Sequence, residues 1–356
     1  MLKAKGVGEE VRGRLSKHGF STTRAFSALL FLPGFHNIWH LEYPMAKTLS
    51  EKKSRRFALL GTITHDVITQ ASGRVLSGEG GILYQAAGLC GLGQHVTLYT
   101  HIGKDIYPRV KPVIDRWTTC DSSRIVVMPG PGNSVFLHYP EKGERVEVLA
   151  SHVPPLRPDR LLKELPGVSF LILVINSGFD IALRDWRRIV RRAGCPIWFD
   201  IHSLALTLEL HKARRYRPLP EWRDWAEGTT YLQANLKEVS SMLGEPEQIP
   251  SGERLSRFGE LALELGIEAA FITLGAEGVL VLLPGRTKKV GSTKASPVVD
   301  TTGCGDIFCA GAAALLASGA DPVEAAAFGA ELASEAAGVS GVEQTYSLVR
   351  NRSYWA

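Results

Sequence analysis

The most constraining feature of the sequence is a glycine-rich turn at residues 300–306 that leads directly into a run of small apolar residues. The turn reads Asp-Thr-Thr-Gly-Cys-Gly-Asp, and the apolar run continues to Leu316. Glycine allows backbone conformations that other residues avoid. Such a turn at a helix N-terminus presents free N–H groups and the positive end of the helix dipole, which favour anions. The sequence therefore predicts an anion-binding turn, with Asp306 kept ionised by the dipole.

The same turn has the residue types that phosphoryl transfer requires. A carboxylate at Asp306 takes a hydroxyl proton, while backbone N–H groups hold the charge of the moving phosphoryl group. A bare G-x-G would more often only cap a buried helix. The full string, however, resembles the D-T-x-G-A-G-D signature of the ribokinase-like (PfkB-type) carbohydrate kinases. The resemblance makes Asp306 the catalytic base and the amides of Gly303, Cys304 and Gly305 the anion hole. Cys304 replaces the usual Ala, which predicts a thiol-sensitive site.

Composition agrees with an ordinary globular protein. The 356 residues are 45% hydrophobic and 22% charged. Five cysteines in no metal-ligand spacing indicate a reducing compartment. No apolar run reaches the roughly 18 residues of a membrane span. We therefore expect a cytoplasmic protein without a membrane partner. Residues 1–56 hold 11 Lys/Arg and 4 Asp/Glu, so the remainder has a net charge of −2 and no nucleic-acid signature.

The first 56 residues differ from the rest because they are basic and unpatterned. Met45 offers a second start just before the first predicted strand. Residues 1–44 are therefore interpreted as an over-extended reading frame or a disordered leader. A transit peptide is the alternative, which two glutamates near the start disfavour. The predicted division is a disordered leader at 1–56, a ribokinase-like kinase domain at 57–342 and a C-terminal tail at 343–356.

A second motif follows the first predicted strand, which spans residues 57–63. Gly80 and Gly81 match the glycine pair of the family's G-G-x-x-x-N-x-A-x-x-x-x-x-L-G signature, and Gln85 stands where Asn is usual. The resemblance makes these three residues sugar contacts. Asp66, at the end of that strand, matches the family's early Asp, which grips two sugar hydroxyls. A carboxylate accepting from adjacent hydroxyls suits polyol recognition, although a turn residue is an equal interpretation without the family.

Strand patterns predict two separate β-sheets. Hairpins within 67–77 and 133–150 predict a small sheet separate from the main one. In the family such a sheet is the lid over the sugar and sometimes the dimer face, which implies a homodimer through the lid. From residue 157 strands and helices alternate, which predicts a three-layer α/β domain with a mostly parallel central sheet. The family's D-x-N-x-R element is incomplete after Asp200, which weakens a sugar-acid substrate.

Two further segments resemble the family's nucleotide elements. Asn235 and Glu238 match N-x-x-E, which the family links to magnesium and phosphate; an amide and a carboxylate on one helix face can hold metal-bound water. Without the family, N-x-x-E would more often be a helix cap. Thr273, Gly275 and Gly278 match T-x-G-x-x-G, whose backbone approaches the ATP phosphates. The resemblance also implies a monovalent cation such as K⁺ held by nearby carbonyls.

The resemblance implies ATP-dependent phosphorylation of a hydroxyl on a sugar or related small polyol, with Mg²⁺ bridging the ATP oxygens. A nucleoside kinase of the same fold is one alternative, because Gln85 replaces Asn and D-x-N-x-R is missing. A non-catalytic ligand-binding regulator is another, which the retention of Asp306 and its glycines disfavours. No G-x-x-x-x-G-K-[ST] is present, which excludes a P-loop enzyme.

Overall fold

Two β-sheets organise the chain. In the computed structural model the described residues are 36–38, 55–141, 145–292 and 297–352, all within one compact unit, His36–Ala356. The strands are β1 (His36–Ile38), β2 (Arg56–Leu60), β3 (Ile63–Thr69), β4 (Val75–Gly81), β5 (His95–Gly103), β6 (Cys120–Asp121), β7 (Ile125–Met128), β8 (Asn133–His138), β9 (Val146–Ser151), β10 (Phe170–Val174), β11 (Ile197–Asp200), β12 (Tyr231–Asn235), β13 (Ala269–Thr273), β14 (Val279–Leu283) and β15 (Arg286–Val290).

Helices connect and cover these strands. They are α1 (Leu83–Gly91), α2 (Tyr107–Ile114), α3 (Asp159–Glu164), α4 (Leu183–Val190), α5 (Trp222–Ala226), α6 (Leu236–Met242), α7 (Gly252–Glu264), α8 (Cys304–Ala317), α9 (Pro322–Ala336) and α10 (Val342–Arg350). Short 3₁₀ turns occur at Leu165–Gly167, His202–Ala205 and Gly275–Glu277. Within the described ranges, no helix combines the length and the apolar character needed to cross a membrane.

The main sheet has the order β1-β15-β14-β13-β12-β11-β10-β2-β5-β6, and β7 also pairs with β5. Its pairs are parallel except β13 with β14 and β14 with β15. The predicted mostly parallel sheet is therefore confirmed. Parallel pairing aligns the carboxyl ends of neighbouring strands, so Asp200 lies opposite Gln233 and Asn235 opposite Thr273.

Aromatic side chains show that helices cover both faces of this sheet. Trp198 and Phe199 are successive residues of β11 and therefore point to opposite faces. Trp198 contacts Phe308 of α8, with ring centroids 6.2 Å apart. Phe199 contacts Trp186 of α4 at 6.1 Å. All four rings are buried, which gives the predicted three layers, helix on sheet on helix.

Small residues allow the helices of one layer to pack closely. A Cβ at Gly311 of α8 would lie 3.0 Å from Cα of Gly329 in α9, and one at Gly329 would lie 2.6 Å from the carbonyl oxygen of Phe308. A Cβ at Gly91 of α1 would likewise lie 2.8 Å from Val349 of α10. Helix α10 thus packs on α1, so the boundary predicted at residue 342 falls at the start of a packed helix.

A separate sheet of four strands, called the small sheet, has the order β4-β3-β8-β9. It confirms the predicted small sheet, but its first hairpin begins at Ile63, so Asp66 lies inside a strand instead of a turn. A buried network anchors it to the main sheet. Thr62 Oγ1 donates to Asp180 Oδ1 at 2.7 Å, and Asn133 Nδ2 donates to Thr62 Oγ1 at 2.6 Å.

The predicted leader is described only in part. Strand β1, inside the segment expected to be disordered, pairs in parallel with β15 at the edge of the main sheet. The rest of that segment before residue 55, which includes Met45, lies outside the described residues. Residues 353–356 of the predicted tail also lie outside them.

Candidate active site

The carboxyl ends of the parallel strands, the small sheet and the N-terminus of α8 surround a cavity of about 250 Å³, called the central cavity. Most of the sequence-predicted site residues line it. Its polar and charged lining residues are Thr64, Asp66, Tyr84, Arg145, Glu147, Asn176, Asp200, His202, Tyr216, Gln233, Asn235, Glu238, Thr273, Thr301, Thr302 and Asp306, and Gly81, Gly303 and Gly305 also line it.

The turn before α8 presents backbone donors to this cavity. Gly303 has φ 78°, in the left-handed region, and no side chain caps the helix. A Cβ at Gly303 would also lie 2.4 Å from the ring of Tyr84. The N–H of Cys304 donates to the carbonyl of Thr301 at 3.3 Å, whereas those of Gly303 and Gly305 have no hydrogen-bond partner in the described part of the chain. The two glycine amides are therefore the open donors.

Asp306 lies in the first turn of α8 and borders the central cavity. Desolvation raises the pKa of its carboxyl to about 7, while a hydrogen bond from Gln85 opposes the rise. The nearby carboxylate of Asp66 raises the pKa of Asp306 further. Desolvation thus opposes the charged form that the helix dipole favours, and a pKa of about 7 leaves Asp306 partly protonated at neutral pH.

Gln85 lies behind Asp306 and is fully buried in α1. Its side-chain nitrogen Nε2 donates to Asp306 Oδ1, and its Oε1 has no hydrogen-bond partner among the described residues. The sequence predicted a sugar contact for Gln85, but in the structure its side-chain amide is hydrogen-bonded to the carboxylate of Asp306. It does not line the central cavity.

Asp66 projects from β3 into the central cavity. Desolvation raises the pKa of its carboxyl to about 7, against the hydrogen bond from Thr64, and Glu147 raises it further. The glycine pair, Gly80 and Gly81, forms the end of β4. Gly80 packs on Asp66, since a Cβ there would lie 2.4 Å from Asp66 Oδ2. Gly81 lines the cavity itself.

Asn235 and Glu238 form a capping box at the start of α6. Glu238 Oε2 accepts from the backbone N–H of Asn235 at 2.9 Å, and Oε1 accepts from Asn235 Nδ2 at 2.6 Å. Burial raises the pKa of Glu238 to about 8. Among the described residues, no three His, Cys, Asp or Glu side chains are grouped to hold a metal ion. These residues fit a magnesium ion held mainly by phosphate oxygens, and do not form a protein cage.

Only part of the predicted nucleotide element borders the central cavity. Thr273 ends β13 and lines the central cavity. Gly275 and Gly278 form the turn between β13 and β14 and are outside the lining of the cavity. Cys304 is also outside the lining. Desolvation and neighbouring carboxylates raise the pKa of its thiol to about 12, which contradicts the predicted thiol sensitivity because the reactive form is the thiolate.

Sequence reasoning missed a charged cluster on the small-sheet side. Glu147 of β9 pairs with Arg214 through Oε1 at 3.0 Å and with Arg145 through Oε2 at 3.3 Å. The Arg214 side chain is fully buried and also donates to the carbonyls of Ser177 and Ser203. No motif marks this cluster, since its members come from a hairpin and an irregular loop.

His202 is a second missed residue. It replaces the Asn of the family's D-x-N-x-R, which was the available signal. Its φ of 39° is positive, a conformation that is uncommon for residues other than glycine and that concentrates at functional sites. Burial lowers the pKa of the imidazole, so the ring that lines the cavity is neutral near pH 7.

Asp200 completes the set of carboxyl groups at the cavity floor. It is buried at the end of β11. Burial raises its pKa well above the usual range, and the carboxylates of Glu238 and Asp306 act in the same direction. The site therefore holds several acidic groups that take up protons near neutral pH, a feature that concentrates at functional sites.

Known proteins share both the sequence pattern and the fold. Residues 211–347 match the family described as pfkB family carbohydrate kinase. The Arabidopsis thaliana ribokinase complexed with ribose and ATP superposes with a TM-score of 0.65 at 17% identity, covering 85% of this chain and 100% of that one. The resemblance to the ribokinase-like (pfkB-type) carbohydrate kinases is confirmed. The Thermotoga maritima ribokinase has the same ribokinase-like fold, with a TM-score of 0.62 at 20% identity over 83% of this chain and 98% of its own.

Curated relatives match part of this ribokinase-like chain. The bifunctional protein HldE of Klebsiella pneumoniae is 29% identical over 182 residues, which is 51% of this chain. That of Pectobacterium carotovorum is 35% identical over 184 residues. The match spans about a third (33%) of the length of these relatives. The family and the fold support a kinase-type phosphotransferase.

Proposed function

We propose that this protein transfers the γ-phosphoryl group of ATP to a hydroxyl of a sugar or related small polyol. The observation that carries the proposal is the position of Asp306. Its carboxyl group lies at the N-terminus of α8, borders a polar cavity and has a pKa raised to about 7. A general base works best when its pKa lies near the working pH.

In the proposed reaction Asp306 takes the proton of the acceptor hydroxyl. The hydroxyl oxygen forms a bond to the γ-phosphorus while the bond from that phosphorus to the bridging oxygen breaks, and ADP leaves. The amides of Gly303 and Gly305, which have no protein partner among the described residues, donate to the oxygens of the transferred group. Asp66 accepts hydrogen bonds from other acceptor hydroxyls and sets their orientation.

ATP is proposed as the donor because the Arabidopsis neighbour of the same fold was solved with it. A magnesium ion bound with ATP would neutralise the charge of the phosphates. Thr273 and Asn235 end adjacent strands beside the cavity, and Glu238 follows in the first turn of α6. Water bound to that ion would meet these three residues. Gly275 and Gly278 are proposed as nucleotide contacts from the turn beyond. A monovalent cation and a homodimer through the small sheet remain predictions from the resemblance, and a cytoplasmic location remains a prediction from composition.

Turnover by the purified full chain tests the proposal. Magnesium-ATP is supplied with a panel of aldoses, polyols and nucleosides, and single-turnover transfer of labelled phosphate is measured. Asp306→Asn keeps the size of the side chain but removes the proton acceptor. Its transfer rate should fall by roughly 10²–10⁴-fold, with ATP affinity by calorimetry changed little.

Asp321→Asn is the matched control, because Asp321 caps the start of α9 outside the central cavity and Asn caps equally well. It should retain the wild-type rate. Transfer by Asp306→Asn at a near-normal rate would remove Asp306 from the mechanism. Absence of transfer to every acceptor, with a bound ligand, would favour a non-catalytic regulator, and transfer confined to nucleosides would favour a nucleoside kinase.

A further inference from the structure

A second cavity of about 300 Å³, called the side cavity, adjoins the central cavity. It lies between β3 and β4 of the small sheet, helices α1 and α2, and the N-terminus of α10. Asp66, Tyr84 and Thr302 line both cavities. Asp306 borders only the central one. The side cavity is therefore next to the group that would be phosphorylated, but on the far side of Asp66.

Tyr84 forms the wall between the two cavities. Its ring packs on the backbone of Gly303 and is 6% exposed. Burial raises the pKa of its phenol, and the nearby carboxylates of Asp300, Asp66 and Asp306 raise it further. The position of this ring thus fixes how much of the space beside Asp66 belongs to each cavity.

The lining of the side cavity is apolar or already paired. Its apolar residues are Ile68, Leu76, Leu83, Val110, Val113 and Val342. Its carboxylates have protein partners: Glu79 binds Arg109 at 2.7 Å, and Asp300 Oδ2 accepts from Ser340 Oγ at 2.9 Å.

Glu343 at the rim is paired with Arg116, and Asp66 is hydrogen-bonded to Thr64. The described lining contains no Lys, Arg or His. The described lining therefore offers no cationic side chain to an anion, and its apolar surface favours uncharged groups. The chemistry of the side cavity therefore selects against a phosphate or carboxylate and in favour of a neutral, mainly apolar substituent.

We propose that the side cavity binds a neutral substituent of the phosphate acceptor, remote from the hydroxyl that reacts, and that Tyr84 limits its size. This rests on the proposed kinase function. The acceptor class is then a sugar that carries an uncharged group, either the alkyl or aryl group of a glycoside or the base of a nucleoside. Asp66 holds the sugar hydroxyls at the junction between the two cavities.

The test compares free and substituted acceptors in a variant that fills only the side cavity. The panel contains ribose, glucose and mannose as free sugars, methyl glycosides and phenyl glycosides, together with adenosine and uridine. Val113→Phe adds a ring to the α2 wall. It should lower kcat/KM for the best substituted acceptor by about tenfold or more, the effect expected from a change of this size in an apolar pocket, while the best free sugar stays within twofold.

Val126→Phe is the matched control, because Val126 is exposed on β7 and lines neither cavity; it should change neither class of acceptor. Tyr84→Ala provides a second test that does not depend on the folding of Val113→Phe. Removing the Tyr84 ring should raise kcat/KM for phenyl glycosides or nucleosides relative to kcat/KM for methyl glycosides. Comparing phenyl glycosides with nucleosides shows whether the substituent is the aryl group of a glycoside or the base of a nucleoside.

The outcomes separate the two proposals. If acceptors are phosphorylated but Val113→Phe alters free and substituted ones equally, or neither, the side-cavity proposal is wrong and the kinase function stands. If nothing is phosphorylated, the kinase function fails, whereas calorimetric binding of a substituted acceptor that Val113→Phe weakens would still support the side cavity. Failure of every substituted acceptor to bind or react better than its free sugar also overturns it.

Discussion

The side-chain amide of Gln85 donates a hydrogen bond to the carboxylate of Asp306, across 221 positions of sequence. The contact joins α1 to the first turn of α8. It is the strongest influence that lowers the pKa of Asp306 against desolvation. In the proposed reaction, Gln85 therefore sets the pH range over which Asp306 is ionised.

We predict that Gln85→Met moves the acid limb of the pH profile of kcat/KM to higher pH. Met has a similar shape but no donor, so the ionised form of Asp306 loses its hydrogen bond and its pKa rises above about 7. The profile between pH 5.5 and 9 measures the shift. Gln94→Met is the control, since Gln94 is buried near β5 and bonds Arg55 and Leu92 instead. An unchanged acid limb in Gln85→Met would contradict the prediction.

Asp306→Asn should stabilise the fold more at high pH than at low pH. The pKa of Asp306 rises from 3.8 to about 7 on folding, so below pH 3.8 the carboxyl is protonated in both states. Between these values folding takes up a proton, and stability falls as pH rises towards 7. Asn avoids this cost, which is on the order of 4 kcal/mol for a shift of this size. Thermal unfolding at pH 4.5 and pH 8 measures the difference. A larger gain at pH 4.5 would refute the assignment.

Asp66→Asn should weaken the acceptor while leaving the nucleotide almost unaffected. Losing a charged hydrogen-bonding partner costs roughly 1–3 kcal/mol, which should appear as a higher acceptor KM or a lower kcat/KM. Steady-state kinetics with each substrate varied gives the two effects separately. The control is Asp121→Asn, because that aspartate bonds Ser123 on the surface. If ATP affinity falls and acceptor affinity does not, Asp66 belongs to the nucleotide site.

The two glycines of the α8 turn should respond differently to alanine. Gly303→Ala places a Cβ on the Tyr84 ring at a residue with φ 78°. It should lose roughly 1–3 kcal/mol of stability and most activity. At Gly305 a Cβ would meet only Gln233 Nε2, at 3.5 Å, an ordinary contact. Gly305→Ala should keep the unfolding midpoint, so its activity reports the effect on phosphate approach alone. Equal destabilisation of both variants would contradict this difference.

The fold could be predicted well because local sequence patterns mark most of its strands and helices. The apolar run of β10 is typical of a buried parallel strand, and the glycine-rich turn before α8 is typical of a helix start. The residues that line the central cavity were harder to predict from the sequence. Asp66 was expected at the end of the first strand and not inside a second one, because β3 follows β2 after only two residues. Arg145 lies in a predicted hairpin where no motif marks it as a cavity residue, and His202 was visible only as a departure from D-x-N-x-R.

Ionisation was the property that sequence reasoning judged least well. The position of Asp306 at a helix N-terminus is visible in the sequence, and its dipole favours the charged form. Its desolvation is not visible, because the atoms responsible come from distant parts of the chain, among them Gln85 and the small sheet. Asn235 and Glu238 show the same limit, since only the structure reveals that their polar atoms are bonded to each other.

The packing of α10 on α1 has a consequence for the order of events during synthesis. Helix α1 supplies Tyr84 and Gln85 to the cavities, and its residue Gly91 contacts Val349 near the end of the described chain. Helix α1 therefore cannot be fully buried before α10 has emerged from the ribosome. A nascent chain lacks this cover until α10 has been made, so we expect substrate binding to begin only after that point.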